Sequence, residues 1–211
     1  MKKIKICTPV IGETLKKFLK NLDQVQEISS IVELRVDKIK NLSVKDLVLV
    51  RKRTKKEAIL TSRRKDIILK SLNLGFDFID IDVSMINDLK LSRFKQSKII
   101  LSFHDYEKTP GIQELTVLVH HMREYNIEVI KIATMVNDDQ DIKNLLQILL
   151  NKKKNEKIII IGMGKKGQII RILGPLLGSF LTFASTKFGA TAPGQIDIDK
   201  MKNIYKLLNY S

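Results

Sequence analysis

Residues 99–133 read IILSFHDYEKTPGIQELTVLVHHMREYNIEVIKIA. Two short runs rich in β-branched and aliphatic residues, Ile99–Phe103 and Val129–Ala133, flank a longer segment, Ile112–Tyr125, whose apolar residues recur at helical spacing. Thr109-Pro110 offers a capping residue followed by a proline, the residue suited to a first helical turn because its missing N–H would be unpaired there anyway. Strand, helix and strand in one short stretch imply parallel strands joined by a helical crossover.

Outward from this unit the same alternation recurs. Eight β-branched runs follow one another: Ile4–Cys7, Ile31–Val36, Ala58–Ser62, Phe78–Val83, Ile99–Phe103, Val129–Ala133, Lys157–Ile161 and Leu181–Ala184. A second plain helix is Asp138–Leu150, and Ser43 and Asp199 are candidate caps for two more. Eight repeats are the number that closes a (β/α)8 barrel; an open doubly wound sheet is the alternative. With 211 residues the chain is short for a barrel, which typically needs about 250. Its loops are therefore expected to be brief, and 1–211 to form a single domain, since no Pro/Gly/Ser-rich linker or low-complexity tract divides it.

The composition narrows the function. Hydrophobic residues make up 44%, enough for one substantial core. The 38 Lys and Arg against 23 Asp and Glu give a formal charge of +15, which raises nucleic-acid or anionic-membrane binding as a hypothesis. The basic residues are scattered, however, as in Lys16-Lys17, Lys55-Lys56 and Lys152-Lys153-Lys154, and with 6% aromatics they form no basic stripe interleaved with stacking rings. They read as solvated helix faces, so neither nucleic acid nor membrane is expected as a partner. The single cysteine, Cys7, can form no intrachain disulfide and no Cys-based metal site. The apolar run after the first lysines is short and ends at Thr8-Pro9, so no signal peptide or membrane span is expected and a cytoplasmic location is.

Parallel barrel strands are buried on both faces, so a charge within one points either at a helix or into the barrel, where ligands sit. In Ile31–Asp37 the side chains alternate: Val32, Leu34 and Val36 share one face, and Glu33, Arg35 and Asp37 the other. The same parity groups Thr61 with Arg63, Asp80 with Asp82, Ser102 with His104, and Lys131 with Ala133. Most of these fall near the C-terminal ends of their strands, the face on which barrel active sites are built. Lys131 among Val129, Ile130 and Ile132 is expected to lose hydration, which lowers the pKa and frees a nucleophilic amine for Schiff-base chemistry. On this strand alone, a buried ion pair with a neighbouring carboxylate such as Asp82 is an equal reading.

His104 closes an apolar strand, where a satisfied core histidine is the ordinary reading; beside a lysine nucleophile, proton transfer becomes the favoured one. His120-His121 fall within a helix, where packing or solvation suffices. Gly162-Met163-Gly164-Lys165-Lys166-Gly167 formally matches a dinucleotide fingerprint. It follows the seventh strand rather than a first one, and about 20 residues on stands Lys187 instead of an acidic ribose ligand. A tight turn that aims Arg171 and backbone amides at an anion explains those glycines better.

Glu33-Leu34-Arg35-Val36-Asp37, Ser102-Phe103-His104-Asp105 with Thr109-Pro110, Lys131-Ile132-Ala133, Met163-Gly164-Lys165 leading to Arg171, and Ala192-Pro193-Gly194-Gln195 occur in this order. Together they resemble the type I 3-dehydroquinate dehydratases, Schiff-base enzymes of the shikimate pathway, over nearly the whole chain. The resemblance implies a carbon–oxygen hydro-lyase without metal or organic cofactor, a homodimer, in which 3-dehydroquinate condenses with Lys131 and loses water by syn elimination with His104 as general acid and base. It implies Arg171 on the substrate carboxylate, Glu33, Arg35 and Arg63 on hydroxyls and the carboxylate side, and Thr191 and Gln195 on a lid spanning 185–195. Two positions depart from the family. Where it has Glu-Gly-Gly, with the Glu orienting the histidine, this chain has Arg63-Arg64-Lys65-Asp66-Ile67-Ile68, so Asp66 is the candidate substitute; Thr191 stands where the family has Ser. A class I aldolase or transaldolase, also with a barrel-strand lysine, and a basic nucleic-acid-binding protein on an inactive barrel are the competing readings.

Overall fold

The computed structural model describes residues 4–89 and 98–210; the first three residues of the N-terminal segment read above lie outside it. Eight parallel strands form where the β-branched runs stand: β1 Ile6–Val10, β2 Ile31–Arg35, β3 Glu57–Thr61, β4 Phe78–Asp82, β5 Lys98–Asp105, β6 Val129–Met135, β7 Lys157–Met163 and β8 Thr182–Ser185. A two-residue β9, Ile196–Asp197, adds to β8. The helices are α1 Leu15–Ile28, α2 Val44–Arg53, α3 Lys65–Ser71, α4 Ile112–Glu124, α5 Asp139–Leu150, α6 Gln168–Leu176 and α7 Ile198–Leu207. After β4 the chain enters a 3-10 helix, Val83–Leu89; the rest of the segment expected to be helical there, 90–97, lies outside the described residues.

The strand order β7-β6-β5-β4-β3-β2-β1-β8-β9 is consecutive, with β1 between β2 and β8. An open doubly wound sheet would reverse direction at a switch point, so this order is that of a (β/α)8 barrel. The seam between β7 and β8 is fastened by single bonds. Phe180 N–H donates to the Ile158 carbonyl at 2.7 Å, and the Ser179 hydroxyl accepts from Ile160 N–H at 3.2 Å and donates to the Leu181 carbonyl at 3.1 Å. The barrel interior is one apolar cluster with a contribution from every main strand, among them Cys7, Ile31, Ile59, Phe78, Ile100, Val129, Ile159 and Phe183.

Alternation sorts the two faces as expected. On β6, Ile130 and Ile132 pack outward with Leu115 and Val119 of α4 and Leu145 and Ile148 of α5, while Val129 and Ala133 face the interior cluster. On β2, Val32 and Leu34 pack with Phe18 and Leu22 of α1 and Leu47 and Val50 of α2. That leaves Glu33 and Arg35 for the barrel mouth.

Three local expectations need correction. β1 does not end at Cys7 but continues to Val10; its ladder to β8 stops at Cys7, so Pro9 lies beyond the part of the strand paired on both sides. Thr109 does not cap α4. Gly111 does, with its N–H donating to Glu114 Oε2 at 3.3 Å, and the Thr109 hydroxyl instead meets Thr134 Oγ1 at 2.8 Å and the Met135 carbonyl at 2.6 Å, tying the β5–α4 loop to β6. The cap of α7 is Asp197, which accepts from the N–H groups of Asp199 and Lys200, so Asp199 lies in the first turn. Ser43 caps α2 as read, in a reciprocal box with Asp46. Among the described residues no helix is long and apolar enough to cross a membrane.

Candidate active site

The floor of the barrel mouth is built by β4, whose two inward carboxylates lie two residues apart and therefore on one face. Asp80 Oδ2 accepts from Lys131 Nζ at 2.8 Å and its Oδ1 from the Ser102 hydroxyl at 2.6 Å. All three residues are buried. The Phe183 ring lies 4.9 Å from Lys131 Nζ, a cation–π contact on the side facing β8. One pleat higher, Asp82 Oδ2 lies 3.4 Å from His104 Nδ1, and the imidazole is stacked against Tyr106 with 6.1 Å between centroids and 10° between planes.

The lysine's partner is thus Asp80 rather than Asp82. Strand stagger decides this. In the β4–β5 ladder Ser102 is level with Asp82 and Ile100 with Asp80, yet Ser102 bonds Asp80 and His104 meets Asp82. Each inward group on β5 therefore meets the residue two below its ladder partner, as tilted barrel strands require. Parity along the sequence could place Asp80 and Asp82 on the right face; it could not supply the stagger that assigns their partners.

The expected depression of the Lys131 pKa is also corrected. Burial pushes it down, but the charges of Asp80 and Glu33 and the hydrogen bond to Asp80 outweigh this and hold it above the ordinary lysine value. Burial likewise pushes Asp80 up, and the charges of Lys131 and His104 bring it below the usual carboxylate range. Asp82 is driven up by burial and further down by its bonds to His104 and Ser84, to about 2.

Glu33 is buried and accepts from the Thr61 hydroxyl at 3.0 Å. Arg35 forms a two-pronged pair with Asp37, at 2.8 and 2.7 Å. Arg171, from α6, is 1% exposed. Its Nη1 and Nη2 donate to the carbonyls of Phe183 at 3.4 Å and Pro193 at 3.1 Å, and Nε has no partner among the described residues. Burial, with no carboxylate paired to it among the described residues, lowers its pKa to about 10. The segment 191–195 closes over this side: Gly164 N–H donates to the Pro193 carbonyl at 3.2 Å, and Thr191 and Gln195 bond each other through Thr191 N–H to Oε1 at 2.7 Å and Nε2 to Oγ1 at 3.3 Å. Because the Gly164 amide is engaged by Pro193, the glycine turn 162–167 does not present it to a phosphate, which weakens the aldolase reading.

Glu33, Arg35, His104, Lys131, Arg171, Thr191 and Gln195 thus line one cavity, bounding about 400 Å³ of space open to solvent. Two sequence candidates lie elsewhere. Arg63 is exposed in an adjoining depression that shares Arg35, Tyr106 and Thr191 with the cavity. Asp66 is exposed at the start of α3 and pairs with Arg64 at 3.1 and 2.5 Å, so it does not orient His104. Sequence reading missed Asp80 as the lysine's partner and passed over Tyr106, which only its two-residue offset from His104 could have flagged. Among the described residues no three His, Cys, Asp or Glu side chains group as metal ligands.

The sequence signature described as type I 3-dehydroquinase matches residues 6–211. A 3-dehydroquinate dehydratase from Coxiella burnetii is 39% identical over 216 residues, covering 96% of this chain and 92% of its own. The chain belongs to the type I 3-dehydroquinase family. A solved type I 3-dehydroquinate dehydratase from Clostridium difficile, carrying covalently modified comenic acid, superposes with a TM-score of 0.87 at 28% identity, covering 99% of this chain and 93% of that one. The enzyme from Geobacillus kaustophilus superposes at 0.90 with 23% identity, covering 99% and 92%, a likeness of fold.

Proposed function

We propose that this type I 3-dehydroquinase removes water from 3-dehydroquinate to give 3-dehydroshikimate through a Schiff base on Lys131. The observation that carries the reading is the convergence of Lys131, His104 and the buried, carboxylate-free Arg171 on one cavity. Arg171 suits the substrate carboxylate, because a buried guanidinium with no acidic partner gains most from an anionic guest.

At rest the lysine is an ammonium paired with Asp80, so attack requires its proton to leave; Asp80, 2.8 Å away, is placed to take it. The neutral Nζ then bonds to the C3 carbonyl carbon as the C=O π pair moves to oxygen; that oxygen takes one proton from Nζ and then the proton held by Asp80, and leaves as water to give an iminium. The surroundings that favour a cationic nitrogen, Asp80 and Glu33, favour this iminium for the same reason. The iminium acidifies C2–H. His104 takes that proton, and the C–H electron pair moves toward nitrogen as an enamine. Return of that pair expels the C1 hydroxyl, which His104 protonates, so water departs. Water then adds to the conjugated iminium and releases the ketone and Lys131. Gln195 and Thr191, on the segment over the cavity, serve as substrate contacts that exclude solvent. Arg35 contributes from the cavity wall and Arg63 from the adjoining entrance. The working form is a homodimer in the cytoplasm, for which sedimentation gives the oligomer test.

The test is to add 3-dehydroquinate, follow the conjugated enone by ultraviolet absorbance, and trap the imine with borohydride. The adduct mass is expected on the peptide bearing Lys131, and Lys131→Ala is expected to lose both adduct and turnover. An adduct on another peptide, or normal turnover by Lys131→Ala, would overturn the mechanism.

A further inference from the structure

Proton transfer by His104 requires one defined tautomer with a lone pair facing the substrate. Among the described residues, the charged or titratable groups that face His104 are Asp82 of β4, at its Nδ1, and Tyr106, just past the end of β5, while Asp80 of β4 feels its charge and Lys131 of β6 and Glu33 and Arg35 of β2 line the same cavity. Among the described residues only Asp82 is within hydrogen-bond distance of a ring nitrogen. The carboxylate is itself fixed. Its Oδ1 accepts from Ser84 N–H at 3.0 Å and from the Ser84 hydroxyl at 2.6 Å, where the chain turns from β4 into the 3-10 helix, and this leaves Oδ2 for the histidine. The Tyr106 ring covers one face of the imidazole, so ring rotation is restrained from a second direction.

We propose that Asp82, held by Ser84, is the positioning residue for His104: it accepts from Nδ1–H and leaves the Nε2 lone pair for the cavity. This assigns β4 a double task, since Asp80 serves the lysine and Asp82 the histidine from adjacent inward positions of one strand. The inference rests on the acid–base role given to His104 above. An ionised carboxylate can only accept, so Nδ1 must carry the proton in the neutral ring. The 3.4 Å separation is long, as such bonds often are before substrate binds. When His104 takes the C2 proton, the imidazolium forms beside Asp82, which stabilises it in the manner of an aspartate behind a catalytic histidine.

Three readouts test this. Nitrogen NMR of the whole enzyme, without substrate, is expected to show His104 with a protonated Nδ1 and an unprotonated Nε2, and Asp82→Asn is expected to change that pattern. In kinetics Asp82→Asn is expected to lower kcat about 10- to 100-fold with KM within about twofold. The acidic limb of its pH profile should move, because an anion beside the imidazolium has been removed. Asp82→Glu should recover most of the rate, and Ser84→Ala should give a smaller loss in the same direction. Borohydride trapping on Lys131 should persist in Asp82→Asn. An unprotonated Nδ1 in the parent enzyme, or an unchanged pH profile in Asp82→Asn, would overturn the proposal. Should the parent enzyme trap no imine, the Schiff-base reading fails, while the NMR arm still decides whether Asp82 sets the tautomer. Should Asp82→Asn not fold, the parent spectrum and Ser84→Ala still decide it.

Discussion

Withdrawing an ammonium and a carboxylate from water costs several kcal/mol for each ion, and an attraction across 2.8 Å at Lys131 and Asp80 is what offsets it. Removing one partner strands the other. Asp80→Asn is therefore expected to lower unfolding stability in urea by roughly 3–5 kcal/mol, and the double change Asp80→Asn with Lys131→Met by clearly less, since no charge is then left buried. A double variant as unstable as the single one would show that Asp80 acts through packing rather than charge. At Arg171 the expected signature is different. Arg171→Lys keeps the charge but loses the fork, so KM should rise about tenfold or more with a smaller change in kcat, read by initial-rate kinetics.

At the scale of elements, the β7–α6 turn and the 191–195 segment act as one unit, joined by the Gly164–Pro193 bond and by Arg171 reaching the same carbonyl. Gly194 makes the close approach: its φ is +74°, and a Cβ there would collide with the carbonyl of Gly164. Gly194→Ala is expected to lift the segment off the turn. The measurable outcome is faster proteolytic cutting within 186–195 and a fall in kcat/KM, with the urea midpoint nearly unchanged because the barrel does not depend on this loop. Equal loss of stability and activity would mean that the segment belongs to the folding core.

Over the whole molecule, stability and pH are coupled through the same buried charges. Asp80 and Asp82 titrate below the usual carboxylate range, so their contribution is present above the unfolded value near pH 4. It is lost as pH falls through the folded values, about 2 for Asp82. Lys131 is shifted up, so its contribution is full below the unfolded lysine value and is lost only as pH rises through the folded one. Urea midpoints should therefore drop between about pH 4 and 2, and less steeply in Asp80→Asn. The closing seam is a separate global test: Ser179→Ala removes one hydroxyl that joins β7 to the residue leading into β8, and a loss of about 1–3 kcal/mol is expected. The charge of +15 should confer no affinity for DNA at moderate salt, because the basic residues are scattered along the chain rather than gathered into a stripe with stacking rings.

The sequence by itself determined the alternation of strand and helix and the eight barrel strands, though not the two-residue β9, because β-branched runs and helical spacing are local signals. It also determined which residues face inward: Glu33, Arg35, Asp80, Asp82, Ser102, His104 and Lys131 follow from period-two parity on strands buried on both faces. The family motifs were legible for the same reason, as short ordered stretches. Only the tertiary structure decided who meets whom. Strand tilt sets Lys131 against Asp80 and His104 against Asp82, an offset of two residues that no single strand records. The same packing turned the expected direction of the Lys131 pKa around, since burial lowers it but two neighbouring carboxylates, from β2 and β4, raise it further. It also carried Asp66 to the surface, where Arg64 is nearer than any histidine. Pairwise electrostatics depend on distances between strands, and those distances exist only once the barrel has closed.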